Sequence, residues 1–333
     1  MLARGLLLWA LAVSAGVEQG EVDFQPPASE MRVPELFRLE AEVFPFELDE
    51  VVRAPGCVVS QLRFPSPIVT PDPENNLVHG EYFVPTGRAG PHPAVVVLHI
   101  LGSDFPLSRY MAARLADRGV AALFLKLPYY GERRPGGGGP GPVPRRFLSS
   151  DIERTVRSMR QGVCDVRRGL RWLAARPEVD ASRLGVTGIS LGGIVSSLVA
   201  AVDPEVQTGV FLLAGGDLPQ ILWGMPEAAG FRETWRRSGR TLQDLRCLTA
   251  PFDPITYADG LRGKRLLMIA GKIDEVVPPL STHALWEAAG RPPILWYDCG
   301  HYSAAGYLLP GIRATVEFLA PPEIQAHTPS SPP

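Results

Sequence analysis

One serine lies among residues whose types and spacing suit nucleophilic chemistry. The stretch GISLG, residues 188–192, places a glycine two positions before and two positions after Ser190. A short apolar, β-branched run precedes this stretch, and a helix-like run of small and apolar residues follows it. At a tight turn between a strand and a helix, a serine hydroxyl projects outward, and the close backbone approach excludes bulky neighbours. The pattern therefore predicts a nucleophile at Ser190, the alternative being a packed turn with an incidental serine.

A serine hydroxyl is a weak nucleophile until a base takes its proton, so a histidine and an orienting carboxylate should accompany it. Asp274 lies in AGKIDEVVPP, just after a predicted strand, and His301 lies in YDCGHYSA, just after the next. The order serine, acid, histidine along the chain is the order expected when a nucleophilic serine lies at a strand-to-helix turn. Glu275 and Asp298 are the alternatives for the acid, and Asp298 reads as the more structural of the two.

Two backbone amides are needed to stabilise the negative oxygen that forms when the serine attacks a carbonyl. Leu191 follows the serine directly and opens the helix, whose first amides carry partial positive charge. The second amide is expected in the loop after the strand that ends at His99, from Leu101, with Ile100 as the neighbouring alternative. This chemistry requires no cofactor, and the sequence predicts neither a cofactor nor a metal.

Buried strands and helical segments alternate through most of the chain. The predicted strands span residues 77–85, 92–100, 120–128, 184–189, 207–216, 265–271 and 293–298. Helices are predicted at 108–118, from 151 to about 177, after Ser190, at 281–289 and after His301. This alternation predicts a three-layer α/β/α sandwich with a mostly parallel sheet. Reactive groups in such a sheet collect at the carboxyl ends of the strands, where all three candidate residues fall.

The ends of the chain differ in composition from its middle. Residues 1–15 have a basic start, a short apolar core and a small-x-small end, which predicts a signal peptide and export to the periplasm or the extracellular space. Residues 16–67 are predicted to be a Pro-rich leader, 68–320 the folded domain with a helical cap at about 217–248, and 321–333 a disordered Pro-rich tail. The apolar run at 5–12 is short for a bilayer, so no integral span is expected in the mature chain.

Composition narrows the class of partner. The 333 residues are 45% hydrophobic and 20% charged with a net charge of −2, which favours a globular protein without nucleic acid as a partner. Four cysteines match no zinc-binding spacing, and export would place them in an oxidising compartment. Their pairing stays open from sequence; they are Cys57, Cys164, Cys247 and Cys299.

From about Leu77 to Leu319 the chain resembles the α/β-hydrolase superfamily. DVRRGLRWLAARPEVDASRLGVTGISLGG is similar to the helix and serine turn of dienelactone-hydrolase-like and prolyl-oligopeptidase-like enzymes, GKIDEVVP to their acid loop and CGH to their histidine loop. The resemblance implies Ser190 as nucleophile, Asp274 as acid and His301 as base. LPYYGERRP with TGISLGG also resembles the α/β-hydrolase domain-containing 18 family. The usual His-Gly oxyanion motif appears here as His99 followed by isoleucine.

These residues and the resemblance together favour a serine hydrolase that cleaves a small-molecule or lipid-like carboxylic ester through an acyl-enzyme. A peptidase or amidase of the same fold, or a non-catalytic binding protein, are the alternatives. Six residues are expected to contact the substrate: His99, Tyr129, Tyr130, Arg133, Arg134 and Trp223. The two arginines suit an acidic group on the substrate, unless an ion pair holds one of them. The tryptophan belongs to an apolar cap cluster, which lines an acyl pocket or packs the cap onto the core.

Overall fold

The computed structural model describes residues 16–102, 105–136, 147–148, 152–225 and 228–320. The predicted signal peptide and the predicted Pro-rich tail lie outside the described residues.

One ten-stranded sheet positions the site. Its strands are β1 (Glu18–Phe24), β2 (Glu42–Ala54), β3 (Cys57–Pro65), β4 (Leu77–Pro85), β5 (His92–Leu98), β6 (Ala121–Leu125), β7 (Val179–Ile189), β8 (Val206–Leu212), β9 (Arg265–Gly271) and β10 (Ile294–Tyr297). Their spatial order is β1-β2-β3-β4-β6-β5-β7-β8-β9-β10. From β6 to β10 all neighbours are parallel, while β1 to β4 and the β4–β6 pair are antiparallel. The predicted fold class is confirmed.

The predicted irregular leader at residues 16–67 is wrong, because three strands of the sheet lie there. In β2 the side chains of Phe44, Phe46 and Leu48 are buried at alternate positions, the pattern of a strand with one face on a core. Pro45 lies within β2, opposite Glu21 of β1, and it contributes no ladder donor. Despite this proline, β2 keeps a two-residue alternation that the core stabilises, and among the described residues the sheet begins with β1.

Helices cover both faces of the sheet. They are α1 (Pro106–Asp117), α2 (Ile152–Ala174), α3 (Leu191–Val202), α4 (Leu218–Gly224), α5 (Ala229–Arg237), α6 (Leu242–Thr249), α7 (Pro279–Ala288) and α8 (Leu308–Leu319). Helices α1 and α8 contact each other on one face, and α2 contacts α3 on the other. All twelve residues of α3 are buried, which places the helix that follows the serine at the centre of the molecule. Helices α4 to α6 form the cap.

Among the described residues, no helix is both long enough and apolar enough to cross a membrane. The four cysteines are free thiols, and only Cys247 is exposed.

Candidate active site

The backbone at Ser190 is strained at the junction of two elements. β7 ends at the preceding residue and α3 begins at the following one. Ser190 has φ 54° and ψ −116°, a region that residues with a side chain rarely occupy and that costs about 1–3 kcal/mol. The strand β8 holds this conformation, since the Ser190 amide donates a hydrogen bond of 2.8 Å to the Leu212 carbonyl. The turn presents the hydroxyl at the carboxyl end of the sheet.

Two glycines allow the turn to be this tight. A Cβ atom at Gly188 would lie 2.4 Å from the carbonyl carbon of Gly192. A Cβ atom at Gly192 would lie 2.5 Å from the Leu98 carbonyl oxygen, on the neighbouring strand β5. Both contacts are with backbone and cannot be relieved by rotating a side chain. The spacing in the sequence therefore reflects the close approach of α3 to β5 and β7.

A continuous chain of hydrogen bonds joins the three residues predicted from sequence. Ser190 Oγ lies 2.9 Å from His301 Nε2, and His301 Nδ1 lies 2.8 Å from Asp274 Oδ2 and 3.1 Å from Oδ1. A carboxylate accepts, so Nδ1 carries the imidazole proton and Nε2 is left as an acceptor for the hydroxyl. Asp274 is buried, and its Oδ1 also accepts the amides of Val276 and Val277 at 2.9 and 2.7 Å. These two amides hold the Asp274 carboxylate beside Nδ1 of the His301 imidazole.

The two alternative acids have other partners. Glu275 Oε2 accepts the backbone amide of His301 at 2.8 Å, and its Oε1 accepts that of Tyr302 at 3.3 Å. Desolvation would raise the pKa of Glu275, but these amides and its own outweigh it and hold the pKa below its usual range. A Cβ atom at Gly300 would lie 2.2 Å from Glu275 Oε2, so the glycine before the histidine makes room for this carboxylate. Exposed Asp298 pairs instead with Lys272 at 2.7 Å.

Glu275 is thus a positioning residue for the histidine loop, a role that the sequence did not indicate. Its carboxylate holds two successive amides of that loop, whereas its neighbour Asp274 holds the imidazole itself. The only signal in the sequence was the adjacency of two acids after a strand. That adjacency cannot say which backbone amides the second carboxylate will meet.

His99 is completely buried and supports the loop after β5. Its Nε2 accepts the Leu127 amide at 3.1 Å, and its Nδ1 lies 2.7 Å from the Ile100 carbonyl, to which it donates. Burial lowers the pKa of His99 to about 4, so the ring is neutral near pH 7. The prediction that His99 contacts substrate is wrong, because both ring nitrogens already have backbone partners. Leu101, two residues on, does line the cavities beside the serine.

Arg133 is also completely buried, and the prediction that it contacts substrate is wrong. Its guanidinium lies 2.7 Å from Asp165 Oδ2 and donates to the carbonyls of Asn75, at 2.8 and 3.2 Å, and Lys126, at 3.0 Å. The ion pair that the sequence left open as an alternative therefore exists, with a carboxylate of α2. No local pattern identifies that partner, because it lies 32 positions away in the sequence.

Three further residues of this loop were predicted to contact the substrate: Tyr129, Tyr130 and Arg134. Tyr129 and Tyr130 are buried; the Tyr129 amide donates to Asn75 Oδ1 at 2.9 Å, and the Tyr130 ring packs edge-on against His99 with centroids 4.6 Å apart. Neither tyrosine is among the described residues that line the cavities at the serine, and their contact with substrate stays a prediction. Arg134 is half-buried and likewise absent from that lining, and its contact with substrate stays a prediction.

Trp223 packs within the cap and is not among the described residues that line the cavities at the serine, and its contact with substrate stays a prediction. It joins a cluster with Trp235 and Leu245, and the Arg236 guanidinium lies 5.0 Å from its ring centroid. Of the apolar cap residues singled out in the sequence, Met225 reaches the serine. The sequence predicts an apolar cap, but the rotation of each short helix about its axis decides which of its side chains face the core.

In the part of the chain that the structure describes, two cavities open from Ser190. The inner cavity, of about 70 Å³, lies between α2, α3 and the cap, and is lined by Leu101, Leu148, Thr155, Met159, Ser190, Leu191, Ile194, Leu218, Ile221, Leu222, Met225, Phe252, Val276 and Val277. The outer cavity, of about 380 Å³, passes the histidine and is lined by Ile100, Leu101, Leu107, Ile189, Ser190, Leu213, Met225, Val276, His301, Tyr302, Ala305 and Leu308. Within the described parts of the chain, no group of three His, Cys, Asp or Glu side chains is placed to hold a metal ion.

The parallel sheet with helices on both faces, and a serine on a strained turn between β7 and α3, define the α/β-hydrolase fold, and parts of the chain match two families that have it. Residues 79–216 match the Dienelactone hydrolase family, and residues 157–291 match the Prolyl oligopeptidase family. The two matches overlap across the serine turn. The narrower resemblance to the α/β-hydrolase domain-containing 18 family stays a prediction.

Individual relatives are distant. An uncharacterized protein of Mycobacterium tuberculosis is 29% identical over 226 residues, covering 66% of this chain and 52% of the relative, so the chain spans about half the length of that relative. An acetyl xylan esterase from Paenibacillus sp. R4 shares the fold with a TM-score of 0.64 at 20% identity, over 82% of this chain and 88% of that one. Acetyl xylan esterase 1 from Thermoanaerobacterium sp. has a TM-score of 0.62 at 21% identity, over 87% and 91%.

Proposed function

We propose that the chain is a cofactor-independent serine hydrolase that cleaves a carboxylic ester. The observation that carries the proposal is the unbroken hydrogen-bond chain from Ser190 through His301 to Asp274. The match to the Dienelactone hydrolase family supports hydrolysis, and the names of the two acetyl xylan esterases that share the fold are consistent with an ester.

In the proposed reaction, His301 Nε2 takes the proton of the Ser190 hydroxyl as Oγ attacks the ester carbonyl carbon. Collapse of the tetrahedral intermediate breaks the bond to the alcohol oxygen, which receives that proton and leaves. His301 then takes a proton from water, the water oxygen attacks the acyl-enzyme, and the acid is released with Ser190 restored. Asp274 keeps the proton on Nδ1 and stabilises the imidazolium that forms in each half-reaction.

The amides of Leu191 and Leu101 are the proposed donors to the oxyanion. Leu191 opens α3, where the helix dipole favours negative charge. The Ile100 carbonyl and the Leu101 amide belong to one planar peptide and point in opposite directions. The hydrogen bond from His99 to the Ile100 carbonyl therefore also fixes the direction of the Leu101 amide, which supports Leu101 rather than Ile100 as the donor.

The test is turnover of p-nitrophenyl acetate by wild type, Ser190→Ala and His301→Ala. Each variant should lose at least about 1000-fold in kcat without unfolding, since the members act as one unit. Two control variants should keep wild-type turnover. Ser182→Ala changes an exposed serine of β7, the strand that precedes Ser190, and His283→Ala changes an exposed histidine of α7. A fluorophosphonate probe should label wild type but not Ser190→Ala. Near wild-type turnover by Ser190→Ala would contradict the proposal.

An amidase is the second candidate, because residues 157–291 match the Prolyl oligopeptidase family. The same three residues could attack an amide, whose nitrogen would be protonated by the histidine as it leaves. A matched pair of p-nitrophenyl ester and p-nitroanilide with one acyl group separates the two. A kcat/KM for the anilide equal to or above that for the ester would favour the amidase.

A further inference from the structure

The inner and outer cavities meet at the nucleophile and differ in chemistry. Four residues line both of them: Leu101, Ser190, Met225 and Val276. Only the outer cavity includes His301, and only the inner cavity includes Leu191. An ester bound with its carbonyl carbon at Ser190 therefore has two directions available, one along the histidine and one beside the start of α3.

Proton transfer decides which half of the ester takes which direction. The group that leaves must receive a proton from His301, so its oxygen has to lie within hydrogen-bond reach of Nε2. That requirement places the alcohol in the outer cavity. The acyl group, whose carbonyl oxygen points at the Leu101 and Leu191 amides, is left to extend into the inner cavity.

The inner cavity accepts only certain acyl groups. Apart from Ser190 and Thr155, all of its described lining residues are apolar, and a charged group placed there would lose its hydration without gaining an ionic partner. Its volume of about 70 Å³ is roughly half that of the 150 Å³ apolar cavity that holds benzene. Space of that size suits an acyl chain of roughly two to four carbons. The outer cavity, at about 380 Å³, has room for a larger alcohol.

We propose that the inner cavity is the acyl subsite, and that the preferred substrate is an ester of a short, uncharged acyl group with a bulkier alcohol. This inference rests on the proposed function and specifies the substrate class of the same site. It differs from the predicted acidic substrate: Arg133, one of the two arginines expected to bind the acid, is buried in an ion pair, and the described lining of the inner cavity holds no charged residue.

The test compares p-nitrophenyl acetate, butyrate, octanoate and monosuccinate with purified protein. Wild type should show a kcat/KM for butyrate at least about tenfold above that for octanoate, as expected when added methylenes do not fit. The monosuccinate, which matches butyrate in length but carries a charge, should be at least about 100-fold poorer than butyrate.

Variants of the two cavities provide the matched comparison. Met159→Ala enlarges the inner cavity alone and should lower the butyrate-to-octanoate ratio, whereas Leu107→Ala, which alters the outer cavity alone, should leave that ratio unchanged. Because Met159 is buried, circular dichroism checks that the Met159→Ala variant folds. Leu222→Ala, at a half-buried position of the cap, provides a second variant with an enlarged inner cavity.

Two kinds of failure are distinguishable. The acyl-subsite proposal would be overturned, with the serine esterase still in place, by any of three results. These are faster cleavage of octanoate than of butyrate by wild type, equal cleavage of monosuccinate and butyrate, or an equal change of the butyrate-to-octanoate ratio in the variants of the two cavities. Ester turnover that does not depend on Ser190 would overturn the proposed function itself.

Discussion

Arg133→Ala should destabilise the fold and leave substrate preference unchanged. The guanidinium is fully buried, and it makes hydrogen bonds to the carbonyls of Asn75 and Lys126 in addition to its ion pair with Asp165. Removing one partner of a buried pair leaves the other charge without compensation, which costs about 3–5 kcal/mol of the free energy of unfolding. We expect a loss in that range at pH 7, measured by urea denaturation.

The pH dependence of that loss provides a second measurement. Burial raises the pKa of Asp165, and the Arg133 charge is the largest influence that opposes the rise. In the variant the pKa of the buried carboxyl therefore lies further above its unfolded value. A group with a raised pKa contributes its stability at low pH and loses it as pH rises. The difference in stability between wild type and variant should accordingly be smaller at pH 5 than at pH 8.

The control is Arg134→Ala, at the neighbouring half-buried position, which should change the free energy of unfolding by no more than about 0.5 kcal/mol. The ratio of kcat/KM for an anionic ester to that for a neutral ester should be the same in wild type and in Arg133→Ala. A destabilisation below about 1 kcal/mol, together with a selective loss of turnover of the anionic ester, would refute this reasoning.

Two further predictions concern the loops beside the serine. Acidification should destabilise the protein through His99: its pKa in the fold is about 4 against an ordinary 6.5, so about 3 kcal/mol of stability that is present above pH 6.5 is lost as pH falls to 4. Urea denaturation from pH 7.5 to 4 should show that portion missing in His99→Gln, and identical pH dependence in both proteins would contradict the assignment. Glu275→Ala should lower kcat about tenfold with little change in KM, because the histidine loop loses two amide acceptors worth about 1 kcal/mol together on an exposed side chain. Glu275→Gln, which keeps one acceptor, should recover part of the lost kcat. As a control, Asp298→Asn should leave kcat unchanged. An equal loss of kcat in the Asp298 variant would mean that the negative charge alone, and not the hydrogen bonds of Glu275, is responsible.

The sequence by itself determined the fold class and the three residues that are hydrogen-bonded at the serine. Parallel strands that are buried on both faces have apolar, β-branched sequences, and their carboxyl ends share one edge of the sheet. Ser190 and Asp274 each follow such a strand, and His301 follows the edge strand β10, so local pattern and chain order were enough to bring them together. The role of the glycines around the serine could also be predicted from the sequence, because the close backbone contacts that require them arise at one strand-turn-helix unit.

Only the tertiary structure decided which loop residues are buried and which face the substrate. Arg133 pairs with a carboxylate on α2, and His99 takes its second partner from the backbone after β6. Both contacts join segments far apart in the sequence, so no local pattern encodes them. The same reason applies to β1, β2 and β3, because the sequence alone did not show that a core covers one face of these strands. It applies also to the cap, where helix rotation turned Trp223 toward its neighbours and Met225 toward Ser190. Local sequence sets what each segment prefers, but which side chains are desolvated depends on what packs against them, and that is a property of the whole chain.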